Sequence, residues 1–242
     1  MPHRLQSVLL AICLASALAG SPTLAGAHRA PSQQEPAYLR LVGALASDQW
    51  WDLALDGEPI FVDLEFEDVG GYEAIVPGIH EVTLTPKGGS EPAIKGDLTF
   101  EEATDYTLAV TGEPDAVEAL LIADDNQAPA PGEAHVKLVH LAHDVVAVDV
   151  RSGDNALFEN AAYGEVSDYI RLDATTFDFS VHEAGTEPVL LEGEGFQVDD
   201  GHVYTLFLMK QADGSLSAIL ATDAVPPGGG GTTVWLPALR RP

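Results

Sequence analysis

Residues 134–169 read "AHVKLVHLAHDVVAVDVRSGDNALFENAAYGEVSDY", and the same pattern occurs 97 residues earlier. Residues 37–72, "AYLRLVGALASDQWWDLALDGEPIFVDLEFEDVGGY", align with it without a gap. Ala37/Ala134, Leu41/Leu138, Val42/Val139, Asp52/Asp149, Phe61/Phe158, Val69/Val166 and Tyr72/Tyr169 coincide. Further on, "DYTLAV" (105–110) meets "VYTLFL" (203–208), and "EALLIADD" (118–125) meets "SAILATD" (217–223). The offset drifts only in turn-like stretches, where insertions are tolerated. Self-similarity of this length sets the domain plan before any local reading. It places one repeat at 36–125 and a second at 133–224. A Pro-bearing linker (126–132) joins them.

Within each copy the pattern has period two. In "TFDFSVH" (176–182), Phe177, Phe179 and Val181 face one way and Asp178 and Ser180 the other. In "HVKLVH" (135–140), Val136, Leu138 and His140 share a face opposite His135, Lys137 and Val139. "VYTLFLMK" (203–210) is denser and reads as a central strand. Turn signals recur at Asp56-Gly57, Pro77-Gly78, Gly88-Gly89, Gly153-Asp154, Asp200-Gly201 and Asp213-Gly214. Short strands punctuated in this way predict an all-β chain of two tandem immunoglobulin-like antiparallel β-sandwich domains, with a β-barrel as the rival.

The ends point to export. Arg4 and the apolar run Val8–Ala19, followed by Ala25-Gly26-Ala27, have the form of a signal peptide over 1–27. The run is too short to span a bilayer. Cys13, the single cysteine, lies inside it, so the mature chain is expected to fold without a disulfide. Residues 28–35 read as a loose lead. Residues 225–242 read as a Gly/Pro hinge and a tail, "TTVWLPALRRP", which either sorts the protein or docks Trp235 on a sandwich. The expected location is therefore extracellular or in the cell envelope.

Charge narrows the partners. The chain holds 38 Asp+Glu against 11 Lys+Arg. Arg4 is the only Lys, Arg, Asp or Glu of 1–27, so the remainder carries a formal −28. Such a surface repels phosphate backbones and anionic headgroups. The expectation is no nucleic acid and no membrane span. An extracellular or envelope protein or glycan remains as partner. No cofactor is expected beyond weak association of divalent cations.

The motifs "VKLVHLAHDVVAVDV", "FENAAYGEVSDYIRL" and "VYTLFL…AILATD" resemble the family called domain of unknown function 4397, secreted bacterial modules that occur in tandem. The family pattern runs V-R-x-V-H-A-S-P-D-A-P-x-V-D-V, then F-G-x-x-S-D-Y. The second copy keeps His140, Asp144, Asp149, Tyr163-Gly164 and Ser167-Asp168-Tyr169. It departs at Ala142-His143, where Ser-Pro is usual, and at Val146, where the second Pro is usual. In the first copy Gly43 replaces the histidine and Ser47 the first aspartate, while Asp52, Tyr72 and Pro77-Gly78 remain. The resemblance implies an extracellular β-sandwich module and assigns no activity. Any site built on the His–Asp motif belongs to the second copy.

Several residue sets qualify as sites. His140, His143 and Asp144 converge on a metal if the chain turns between them, which would suit a metal-dependent hydrolase. His135 cannot join them, because a five-residue spacing on a strand puts it on the opposite face from His140, roughly 16 Å away. The structural reading has His140 bonding a loop carbonyl or Asp144, and Asp144 capping a turn. Asp124, Asp125 and Asn126 offer hard oxygen ligands at the linker, as in calcium-stiffened tandem sandwiches. Trp50 is expected on the outer face beside Asp52, where it would stack on a sugar ring or cover the sheet. Trp51 is expected in the core. No G-x-S-x-G elbow, H-E-x-x-H, phosphate loop or cysteine nucleophile is present. The expectation is a non-catalytic binding or structural module.

Overall fold

The computed structural model describes residues 34–224. The signal segment (1–27) and the tail (225–242) lie outside the described residues, as does most of the lead. Among the described residues every regular element is a strand. The first copy contains β1 (Ala37–Gly43), β2 (Trp51–Leu55), β3 (Glu58–Leu64), β4 (Glu73–Ile75), β5 (Gly78–Pro86), β6 (Ile94–Phe100), β7 (Asp105–Glu113) and β8 (Ala116–Asp124). The second repeats the set as β9 (Glu133–His140), β10 (Val148–Ser152), β11 (Asn155–Ala161), β12 (Ile170–Asp173), β13 (Thr176–Glu183), β14 (Val189–Gln197), β15 (Val203–Lys210) and β16 (Leu216–Ala224).

Each copy is a two-sheet sandwich with the same topology. One sheet runs β4-β1-β7-β8 in the first copy and β12-β9-β15-β16 in the second. The other runs β3-β2-β5-β6 and β11-β10-β13-β14. Pairing is antiparallel except for one pair per copy: β1 runs parallel to β7, and β9 parallel to β15. Both copies also share a tyrosine near the start of the penultimate strand whose hydroxyl accepts a backbone N–H five residues upstream. Tyr106 accepts from Glu101 at 3.0 Å, and Tyr204 from Asp199 at 3.0 Å. This corner is a recurring device of immunoglobulin-like sandwiches.

Alternation puts Leu39, Leu41, Leu53, Leu84 and Leu108 into the first core, and Val136, Leu138, Val150, Phe179 and Leu206 into the second. The opposite face of the β1 and β9 sheets is not solvated. Val42, Ala44, Ala109 and Ile122 of the first copy pack with Val139, Leu141, Phe207 and Met209 of the second in a third apolar cluster. The two sandwiches are thus stacked through these sheets. Sheets buried on both faces have near-continuous apolar strands, which accounts for the density of "VYTLFLM". The face of β9 that carries Lys137 and Val139, opposite Val136 and Leu138, is covered by the first copy.

Candidate functional site

The aspartates that coincide at 52 and 149 are spent on backbone. Asp52 Oδ1 accepts the Asp63 N–H at 2.9 Å, and Asp149 Oδ1 accepts the Asn160 N–H at 2.8 Å. Asp63 and Asn160 sit at register shifts between adjacent strands and have φ of 60° and 53°. A non-glycine residue in this left-handed region is strained unless held. The aspartate across the strand pair holds it. Asp149 also accepts the Gly185 N–H at 3.0 Å and lies 3.3 Å from Arg151. Its carboxyl is held below the usual range, first by the Gly185 N–H, then by Asn160 and Arg151. The loop after β3 and that after β11 dock identically: Glu67 N–H donates to the Gly43 carbonyl, and Gly164 N–H to that of His140. A Cβ at Gly43 would lie 2.0 Å from the Glu65 carbonyl oxygen, which is why the first copy has glycine where the second has histidine.

The triad His140, His143, Asp144 is not assembled. His140 is fully buried. Its Nδ1 accepts the Ala142 N–H at 3.2 Å and its Nε2 faces the Val146 carbonyl at 3.5 Å. Both ring nitrogens are therefore used within the strand-end loop, and burial lowers its pKa. His143 turns the other way. Its Nδ1 lies 3.3 Å from Asp144 Oδ2 and 3.7 Å from Glu113 Oε1, a carboxylate of the first copy. The ligand-type atoms of Glu113, His143 and Asp144 all lie within 4.8 Å of one another. Glu113 and Asp144 are exposed and His143 is half-buried, so the group sits at the solvent edge of the seam. Asp144 has φ of 60°, the turn conformation that aspartate tolerates.

The linker set is also redistributed. Asp124 is not a linker ligand but the last residue of β8, fully buried. Its Oδ1 binds Lys137 Nζ at 2.5 Å, and its Oδ2 accepts the Thr107 and Tyr72 hydroxyls at 2.6 and 2.7 Å. Asp125 accepts the Gln127 N–H in a local turn, and Asn126 Nδ2 donates to Asp105. The three side chains do not converge.

Asp124 instead belongs to a feature the sequence reading missed. Asp223 in the second copy accepts from Arg40 of the first at 2.6 Å, from Thr205 at 2.6 Å and from Tyr169 at 3.3 Å. The partners correspond residue by residue: Arg40 to Lys137, Thr107 to Thr205, Tyr72 to Tyr169. Each aspartate takes two hydroxyls from its own copy and one cation from the other. Arg40 also lies over the Tyr72 ring and Lys137 over Tyr169, at 4.8 and 4.9 Å. Burial works against the Arg40 charge, but Asp223, Tyr72 and Asp124 outweigh it and hold the guanidinium above its usual pKa. Burial raises the Asp223 carboxyl, against the pull of Arg40, Lys137 and Thr205. Coincident basic residues at 40 and 137, on strands apolar on both faces, were the available signal.

Trp51 is buried in the first core and Trp50 is 38% exposed. Lys87 Nζ sits 4.3 Å from the Trp50 ring centroid and takes one face of the indole. Trp50 lines a cleft with Asp48, Glu65, Phe66 and, from the second copy, Ala212. Asp52 is committed to its bulge and does not partner Trp50.

A pair of stacked, cysteine-free sandwiches joined by an apolar cluster and two matched ion pairs defines a tandem β-sandwich protein. The chain belongs to the family described as Domain of unknown function (DUF4397), which matches residues 37–151 and 142–234. A search of curated proteins finds no match. Among solved structures, the chain is similar to one described as "Alpha-glucan recognition by family 41 carbohydrate-binding modules from streptococcal virulence factors". That match has 12% identity, covers 74% of this chain and 96% of the other, and has a TM-score of 0.24, too low to bear on function. Among the described residues no helix is long and apolar enough to cross a membrane.

Proposed function

We propose that the protein is a non-catalytic binding or structural module of the extracellular space or cell envelope, in which the two sandwiches act as one rigid body. The observation that carries the reading is the stacked interface, with its apolar cluster and two cross-copy ion pairs, Arg40–Asp223 and Lys137–Asp124. A module built to present fixed loops needs such rigidity. The use of Asp52, Asp149 and His140 as backbone supports agrees with it, because those side chains are thereby withdrawn from chemistry. Fractionating cells that make the chain with an epitope in the exposed turn at Asp213-Gly214 tests the location. Recovery outside the cytoplasm with an N-terminus near His28 is expected, and cytoplasmic residence with Met1 retained would refute it. Cross-linking from the recovered envelope fraction identifies the partner, protein or glycan.

A second reading, carbohydrate binding, rests on Trp50 in its cleft with Asp48 and Glu65. An indole face beside carboxylates suits a sugar ring. Glycan-array binding that is lost in Trp50→Ala supports it. An equal or absent signal removes it.

A further inference from the structure

The two sandwiches differ in how their cores are closed at the open edge. In the first copy a cavity of about 310 Å³ lies between β6 and β8. Its floor is Leu53, Leu84 and Val110, and Leu98, Val117 and Leu121 form the walls. The second copy fills the same space from within. Val82, which pairs with Gly96, corresponds to Phe179, which pairs with Gly193. Leu98, which pairs with His80, corresponds to Phe196, which pairs with Phe177. The Phe179 and Phe196 rings meet edge to face at 4.6 Å.

Burial records the difference at matched positions. A Cβ at Gly193 would lie 2.4 Å from Phe179, whereas one at Gly96 would meet nothing within 4 Å. Ala218 is buried, while its counterpart Ala119 is exposed at the cavity mouth. The first copy therefore has an apolar site where the second has two phenyl rings of its own.

We propose that the first sandwich binds a small uncharged aromatic molecule in this cavity. The second copy shows that ring systems suit the space. An engineered cavity of about 150 Å³ takes benzene, so about twice that volume suits a two-ring system. Charge decides the rest. The cavity is lined by Asp97 and Glu118 and by no Lys or Arg, so an aromatic anion would lose its hydration without a counter-charge. The site is separate from the Trp50 cleft and does not depend on sugar recognition there.

The test uses the full chain, with 2-naphthol as probe and 2-naphthoate as its anionic counterpart, followed by amide chemical shifts. Naphthol is expected to give saturable shifts confined to the cavity-lining strands β2, β5, β6, β7 and β8 of the first copy. Naphthoate should bind at least about tenfold more weakly, as desolvating a carboxylate in an apolar site requires. Val82→Phe/Leu98→Phe, which installs the second copy's residues, should abolish the naphthol shifts while leaving second-copy amides unmoved. Should that variant fail to fold, Gly96→Leu closes the mouth from a position with free space. Absence of saturable shifts, equal binding of naphthoate, or naphthol binding that survives the filling variants would overturn the proposal.

Discussion

Removing the Asp223 carboxylate tests the stacked interface directly. Arg40 and Asp223 have side-chain exposures of 1% and 0%. In Asp223→Ala the guanidinium keeps the Thr107 hydroxyl at 2.7 Å and loses its only contact at 2.6 Å with an anion. The Thr205 hydroxyl loses its acceptor as well. Removing one partner of a buried ion pair costs about 3–5 kcal/mol, because the other charge stays dehydrated. For a body of this size each kcal/mol moves Tm by about 2–4 °C, so the expected drop is roughly 6–20 °C. Thermal unfolding by circular dichroism measures it. Lys95→Ala is the control: it removes an exposed pair with Glu81 at 3.0 Å and should cost no more than about 1 kcal/mol. Arg40→Met/Asp223→Leu should recover most of the loss, since apolar residues of similar volume replace buried ion pairs at little cost. A loss in Asp223→Ala no larger than in the control would refute the argument that the pair is sealed between the two sandwiches.

The remaining expectations concern the mirrored pair, acid stability and the histidine. Asp124→Ala should destabilise by an amount similar to Asp223→Ala, about 3–5 kcal/mol in chemical denaturation, because it strands Lys137 in the same way. Asp149 has a lowered carboxyl pKa, so its contribution is present above the unfolded value of about 3.9 and lost as pH falls through the folded value. Asp149→Asn should therefore flatten the fall in stability below about pH 4, seen in urea titrations across pH. His140 is also lowered, so its neutral ring stabilises above about pH 6.5 and that contribution fades as pH falls below it. His140→Gln should remove this part of the pH dependence, and an unchanged slope between pH 7 and 5 would contradict the burial argument.

The strand alternation and the inward Trp51 were legible because a duplicated period-two pattern appears twice with the same register. The role of Asp52 and Asp149 was less so. Their outward orientation is readable from alternation, but the bulge residues they hold, Asp63 and Asn160, carry no signal beyond being tolerant of positive φ. At His140 the structural reading, a ring nitrogen on a loop carbonyl, matches the structure, and the alternative metal grouping does not assemble. Histidine and aspartate at spacings of three and four residues fit a ligand set only if their side chains converge. Here the chain between them turns so that the imidazole of His143 reaches across to Glu113 in the other copy. Asp124 was misplaced for a similar reason: proximity to a Pro-bearing linker suggested solvent, whereas the strand runs through it into the interface. For His143 and Asp124 the missing information was a contact between copies, which no reading of one repeat alone supplies.

Duplication also explains why the two copies diverge where they do. In the two buried ion-pair clusters the residues stay paired in type: cation with cation, threonine with threonine, tyrosine with tyrosine. Away from these clusters the copies separate in type. The second copy closes its core with Phe179 and Phe196. The first leaves Val82 and Leu98 with a cavity between the edge strands. The pseudo-symmetric half of each sandwich thus fixes the body, and the half facing away from the partner copy is free to specialise. A ligand of this protein should accordingly distinguish the copies, and a perturbation of the shared interface should act on both at once.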